Sequence, residues 1–98
     1  MLIKIHKSYR PVVAICDKEL LGKKFEQDNK VIELTSSFFE GQEIDSEKLL
    51  EKIQLLADED STFNIVGEKS IKIALKVGII KPEGVIKIQN IPVALALL

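Results

Sequence analysis

The segment Phe63-Asn-Ile-Val-Gly-Glu-Lys-Ser-Ile-Lys-Ile-Ala-Leu-Lys-Val-Gly78 contains a strand pattern followed directly by a helix pattern. Its first four residues form a short apolar run typical of a strand, and Gly67 allows a sharp exit from it. From Glu68 to Val77 the apolar side chains recur at helical spacing, and Gly78 then ends the helix. The residues on the inward face are Ile71, Ala74 and Leu75. The chain is therefore expected to combine strands with helices.

A second helix precedes this segment and a further strand follows it. The helix is predicted from about Ser46 to Ala57, because Asp45 can cap its first turn and apolar residues recur at helical spacing. Those apolar residues are Leu49, Ile53 and Leu56. Val85–Ile88 is predicted to be a strand. Strand, helix and strand in succession favour a right-handed crossover between parallel neighbours, although a helix this short also suits an α+β arrangement.

The N-terminal third of the chain is predicted to form strands. Leu2–Lys7 alternates weakly and Val12–Ile15 is a continuous apolar run, so a β-hairpin is expected, with Pro11 in its connection. Val31–Leu34 is a further strand candidate after a polar turn. We therefore predict a single α+β domain over residues 1–98, with the hairpin, about five or six short strands and two main helices; a mixed α/β arrangement is the alternative.

Composition limits the classes of function. With 46% hydrophobic and 30% charged residues in 98 positions, the chain can form one core and is not expected to be disordered. Its 14 basic and 15 acidic residues give a net charge of −1, so any nucleic-acid contact must be local. The single cysteine predicts no disulfide and no metal site, so we expect a cytoplasmic protein without metal or cofactor. No signal peptide or membrane span is expected, because no apolar run is long enough.

The segment Cys16-Asp-Lys-Glu-Leu-Leu-Gly-Lys23 concentrates the residues that suit catalysis. Cys16 is a nucleophile candidate if a base or a helix N-terminus lowers its pKa, and Asp17, Glu19 and His6 are the candidates to assist it. Cysteine is more often a small buried apolar residue, so we favour that role for Cys16 and no catalytic site. Asp17 is predicted to cap a short helical turn that ends at Gly22.

The densest basic neighbourhood is a candidate for binding phosphates. It consists of Lys18, Lys23 and Lys24, with Arg10 and Lys7 nearby in the hairpin. Tyr9 beside Arg10 is a candidate for stacking on a base, although one aromatic residue is less than a full platform. Solvated surface lysines are the commoner explanation of such a cluster.

Asn64, Gly67 and Glu68 form a second candidate site, at the start of the helix predicted to follow Gly67. Helix N-terminal amides can hold an anion, and glycine permits its close approach. The repeated glycines of nucleotide-binding loops are absent, and Glu68 would repel a phosphate. The structural alternative, which we favour, is that Asn64 fastens a neighbouring loop, Gly67 turns the chain and Glu68 satisfies the helix start.

Residues 91–98 read Ile91-Pro-Val-Ala-Leu-Ala-Leu-Leu98 and carry no charge, which is unusual for a terminal segment. We favour a final strand buried on both faces, because such strands are continuously apolar. The alternative is an edge strand or apolar strip that pairs with another copy of the chain. The homo-oligomer contact would then use Ile91, Val93, Leu95 and Leu97.

Several motifs in one order resemble the archaeal domain-of-unknown-function family 424. They are Cys16-Asp-Lys-Glu-Leu-Leu-Gly-Lys23, Phe38-Phe-Glu-Gly41, Asn64-Ile-Val-Gly-Glu68 and Ile88-Gln-Asn-Ile-Pro92. Members tend to have a histidine where this chain has Val93, so that position is expected to pack. The resemblance implies archaeal origin and a small cytoplasmic protein, supplies no catalytic residue, and makes a link to translation or another ribonucleoprotein plausible.

Together these patterns favour a cytoplasmic binding or adaptor protein associated with RNA, a ribonucleoprotein or the translation machinery. One alternative is a small enzyme or ligand-binding protein that uses the Cys16–Lys23 segment. The other is a homo-oligomeric scaffold assembled through the apolar C-terminal run.

Overall fold

The computed structural model describes residues 1–98 and contains eight strands and three α-helices. The strands are β1 (Leu2–His6), β2 (Val12–Cys16), β3 (Lys24–Gln27), β4 (Lys30–Glu33), β5 (Gln42–Glu43), β6 (Thr62–Val66), β7 (Ile86–Ile88) and β8 (Ile91–Leu97). The helices are α1 (Ser36–Phe39), α2 (Ser46–Ala57) and α3 (Glu68–Val77), with 3₁₀ turns at Lys18–Leu20 and Pro82–Gly84. None of the three α-helices has the length and the apolar composition that a membrane span requires.

Six of the strands form one mixed sheet in the order β5-β1-β2-β6-β8-β7, while β3 and β4 form a separate hairpin. The pair β2 and β6 is parallel, and the other neighbours in the sheet are antiparallel. The prediction that the strands before and after α3 are parallel neighbours is wrong, because they are not adjacent. Strands β6 and β7 run in the same direction, but β8 lies between them because it pairs antiparallel with both.

The two main helices begin and end where local sequence signals predicted. The side chain of Asp45 accepts a hydrogen bond from the Lys48 N–H over 2.9 Å at the start of α2. Gly78 ends α3 in the left-handed region, with φ of 92°, where glycine avoids the steric penalty of a Cβ atom. Both helices pack on one face of the sheet through a core that includes Leu49, Ile53 and Ile71.

The opposite face of the sheet is covered in part by the β3–β4 hairpin, the first 3₁₀ turn and α1. A second apolar cluster lies there, around Cys16, Leu34 and Phe39. The chain is thus a single small α+β domain, as predicted. It has more strands than expected, because β3 and β5 carry no alternating apolar pattern that would reveal them.

The final strand β8 is covered on one face only, so the prediction that it is buried on both faces is wrong. Ala94 and Ala96 are buried in the cluster beneath the helices. Leu95 and Leu97 point to the other face and are 57% and 72% exposed. The strict alternation follows from the pleat, since successive side chains of a strand point to opposite faces of the sheet.

Candidate functional site

Asp17 lies at the end of β2 and caps a helix that is distant in sequence. Its Oδ1 accepts hydrogen bonds from the Ser70 N–H over 2.9 Å and the Ser70 Oγ over 2.8 Å, and its Oδ2 accepts from the Lys69 N–H over 3.1 Å. The carboxylate is buried, and it makes no capping bond to its own 3₁₀ turn. The prediction that Asp17 caps the turn after Cys16 is therefore corrected: it caps α3.

Gly67 supplies the space for this contact. A Cβ atom at Gly67 would lie 2.4 Å from the Asp17 Cγ, and the backbone φ of 112° also favours glycine. The Asp17 N–H donates to the Val66 carbonyl over 3.1 Å, and the Gly67 N–H donates to the Pro92 carbonyl over 2.9 Å. The Cys16–Lys23 and Asn64–Glu68 segments therefore meet in space, and the end of the Ile88–Pro92 motif joins them.

The helix N-terminus after Gly67 is filled by this chain's own carboxylate. Parallel pairing of β2 with β6 places Cys16 beside Val66, so the residue that follows each strand lies beside the start of α3. The amides of Lys69 and Ser70, which a free anion would need, already donate to Asp17. The anion-binding interpretation of Asn64, Gly67 and Glu68 thus loses its support, because the Asp17 side chain occupies the place that a bound anion would take.

Cys16 is fully buried in the second apolar cluster at the end of β2. Desolvation by burial, reinforced by the negative charge of Asp17, raises the pKa of the Cys16 thiol to about 11. A raised pKa keeps the thiol protonated at neutral pH, whereas a nucleophilic cysteine needs its thiolate. The exposed Glu19 lies outside the buried cluster.

His6 is at the other end of the β1–β2 hairpin from Cys16. His6 pairs with Val12, whereas Cys16 pairs with Leu2, so the two are separated by about 13 Å along the strands. The His6 Nε2 lies 2.9 Å from the Phe38 carbonyl oxygen, and its ring stacks on the Phe38 ring with centroids 4.7 Å apart. His6 therefore fastens α1 to the sheet, and the structure does not bring together a Cys–His pair.

The predicted basic neighbourhood is divided between the two ends of the sheet. Lys18 forms an ion pair with Glu43 over 2.9 Å, and Lys24 forms one with Glu26 over 3.1 Å. These lysines and the exposed Lys23 follow the Cys16 end of β2. The hairpin tip, defined as residues 7–10, precedes the opposite end of that strand, about 17 Å away for a strand of this length. Tyr9 and Arg10 are exposed there, and Arg10 has no ion pair.

An apolar groove lies between the β3–β4 hairpin and the second face of the sheet, with a volume of about 240 Å³. Its lining includes Ile32, Asn64, Val66, Ile86, Val93 and Leu95. The Asn64 side chain is half-buried and makes no hydrogen bond within the chain, so it does not fasten a loop as expected. The sequence did not identify Ile32 and Ile86 as residues that line a groove. The available signal was that each lies in a predicted strand, where alternate side chains share a face.

The chain has no cluster of three or more His, Cys, Asp or Glu side chains placed to hold a metal ion.

The comparisons with known proteins concern family and fold. The model of the family described as "Protein of unknown function (DUF424)" matches residues 6–97. The crystal structure of an uncharacterized conserved protein from Methanopyrus kandleri is similar to this chain, with a TM-score of 0.77 and 22% sequence identity. The alignment covers 96% of this chain and 87% of that chain. No curated protein matches the chain. At this identity the similarity concerns the fold alone.

Proposed function

The chain belongs to the DUF424 family of proteins of unknown function, and we propose that it is a cytoplasmic binding or adaptor protein that contacts single-stranded RNA in a ribonucleoprotein. One observation carries the proposal: the fully exposed Tyr9 at the hairpin tip lies between exposed cations. A single cysteine, buried and without a partner, needs no oxidising compartment and supports a cytoplasmic role.

The tip offers the two kinds of contact that unpaired RNA accepts. The Tyr9 side chain is 101% exposed, so its ring contributes nothing to the core and has both faces free for a base. Lys7 and Arg10 are exposed and have no ion pair within the chain, unlike Lys18 and Lys24. A stacked base flanked by phosphates on cations is the usual pattern at single-stranded sites.

Nearby acidic residues keep this contact small. The acidic run Asp58-Glu-Asp60 leads into β6, whose first residue, Thr62, donates its N–H to the Pro11 carbonyl over 2.9 Å. The run therefore lies at the same end of the sheet as the hairpin tip. Its negative charges repel phosphates other than the two that Lys7 and Arg10 contact. With about 0.7 released counterions per phosphate on a single strand, two contacts give a slope of about −1.4 in log K against log salt.

Binding to single-stranded oligoribonucleotides and to purified ribosomal fractions tests the proposal. The variant Y9A/R10Q should lose most of the RNA affinity, because base–aromatic stacking alone contributes about 1–3 kcal/mol. The matched control is K18Q/K24Q, which removes two exposed positive charges from the opposite end of the sheet and should bind as the unmodified chain does.

Fluorescence anisotropy across a salt series gives the slope, and cosedimentation with ribosomal fractions, with and without nuclease, gives the partner. If Y9A/R10Q and K18Q/K24Q lost RNA affinity equally, the binding would depend on positive charge anywhere on the surface. The proposed role of the hairpin tip would then be overturned. Absence of binding to RNA and to ribosomal fractions at low salt would overturn the proposed function as a whole.

A further inference from the structure

The outer edge of β8 has no strand neighbour beyond Val93. The ladder with β7 covers residues 91–93 of β8 and ends at the pair of Ile86 and Val93. On its inner side, β8 pairs with β6 as far as Leu97. Residues 94–97 therefore form an open edge of the sheet.

The hydrogen bonds between β6 and β8 show which main-chain groups face this edge. The Gly67 N–H donates to the Pro92 carbonyl over 2.9 Å, and the Leu98 N–H donates to the Ser61 carbonyl over 3.3 Å. Main-chain groups alternate in direction along an antiparallel strand, so the even-numbered residues of β8 bond inward. The N–H and C=O groups of Leu95 and Leu97 consequently point outward, where this chain provides no strand to pair with them.

The side chains at this edge are apolar and unprotected. Leu95 and Leu97 are 57% and 72% exposed, and the neighbouring Ile86 is 45% exposed. Natural proteins usually protect an open edge with a charge, a proline or a bulge. The segment Ala94-Leu-Ala-Leu97 contains no charge and no proline, and its pairing with β6 is uninterrupted. Such an edge is suited to pair with another strand.

We propose that this edge pairs with the same edge of a second copy of the chain, antiparallel and about a two-fold axis at Ala96. Leu95 then lies opposite Leu97 of the second copy, and the outward N–H and C=O groups of both residues are satisfied. Charge supports a second copy as the occupant. No side chain of residues 91–98 is charged, so self-pairing places no like-charged side chains opposite each other, and leucine meets leucine.

The proposed contact uses two of the four residues that the sequence suggested. Ile91 and Val93 are half-buried and pack against the second apolar cluster, so Leu95 and Leu97 remain as the contact residues. Two short strand segments bury less surface than a permanent dimer needs, so we expect a dimer that dissociates on dilution.

Sedimentation equilibrium from about 1 µM to about 1 mM, a range that spans weak to moderate association, tests the pairing. The unmodified chain should pass from monomer to dimer, whereas L97K should remain a monomer. The matched control is L55K, because Leu55 is 68% exposed on α2, which covers the opposite face of the sheet from Leu95 and Leu97. L55K should dimerise like the unmodified chain, and NMR spectra establish that each variant is folded.

Amide hydrogen exchange gives a second, independent measurement. Exchange at Leu95 and Leu97 should slow as protein concentration rises, whereas the inward Ala96 amide should be protected at every concentration. A chain that stays monomeric at the highest concentration, an L97K variant that still dimerises, or an L55K variant that does not would each overturn the proposal.

Discussion

The Asp17 carboxylate fills the space that Gly67 leaves free by lacking a side chain. The Asp17 Cγ lies 2.4 Å from where a Cβ of residue 67 would be, and the same carboxylate accepts hydrogen bonds from residues 52 and 53 positions later in the chain. This contact joins the end of β2 to the start of α3. It gives a structural reason for two of the motifs on which the family resemblance rests.

Replacing Asp17 should destabilise the fold more than replacing an ordinary helix cap. In D17A the buried N–H and hydroxyl of Ser70 and the part-buried N–H of Lys69 lose their acceptor, so the free energy of unfolding should fall by about 2–3 kcal/mol. The control is D45A, which removes an exposed cap with one hydrogen bond and should lower the free energy of unfolding by about 1 kcal/mol. Urea denaturation measures both, and an equal loss in the two variants would contradict the buried network.

G67A should be among the most damaging alanine substitutions in this chain. It adds a clash with Asp17 to the strain of a positive φ, so we expect a loss of about 3–5 kcal/mol in the free energy of unfolding. G78A provides the comparison, because φ there is 92° but nothing lies within 4 Å of the added Cβ. Strain alone predicts a loss of about 1–2 kcal/mol for G78A.

The same substitution in a D17A background separates the two contributions at Gly67. Without the carboxylate the clash disappears, so G67A should then lower stability by little more than G78A does. Additive losses in the double variant would show that the Asp17 contact is not the cause.

Cys16 should react slowly with thiol reagents in the folded protein. Its raised pKa of about 11, against an ordinary value of 9.0, means that the folded state holds the thiol proton more tightly than the unfolded state. The corresponding stability is fully present below pH 9 and is lost as pH rises through about 11. C16A should lack this part of the alkaline destabilisation. Rapid modification of native Cys16 at neutral pH would restore the nucleophile hypothesis.

The ion pair of Lys18 with Glu43 should be visible in a carboxylate titration. The Lys18 ammonium, through its hydrogen bond and its charge, holds the pKa of Glu43 below its ordinary value. In K18Q the Glu43 pKa should therefore rise towards that ordinary value, as followed by NMR. K24Q is the control, since Lys24 pairs with Glu26 instead. An unchanged Glu43 pKa in K18Q would show that Lys18 does not pair with Glu43 in the unmodified chain. Lys18 would then be free to contact a phosphate at that end of the sheet.

Part of the candidate site followed from sequence and part did not. Exposure of Tyr9 was predictable, because it lies in a polar connection before Pro11 and belongs to no apolar period. The division of the basic neighbourhood between two ends of the sheet was not predictable, because Lys18 and Arg10 are close in sequence but lie at opposite ends of β2. The groove around Asn64 was missed because it forms between strands that are distant along the chain.

Local patterns in the chain were enough to predict the limits of α2 and α3, the hairpin of β1 and β2, and the apolar character of β8. These depend on neighbours within a few residues, such as the Asp45 cap of α2, Gly67 after β6 and Gly78 after α3. Three features required the folded chain: β8 lies between β6 and β7, Asp17 caps α3, and Leu95 and Leu97 are left exposed. Those outcomes depend on which distant surfaces pack together, and a periodic pattern identifies an apolar face without identifying what covers it.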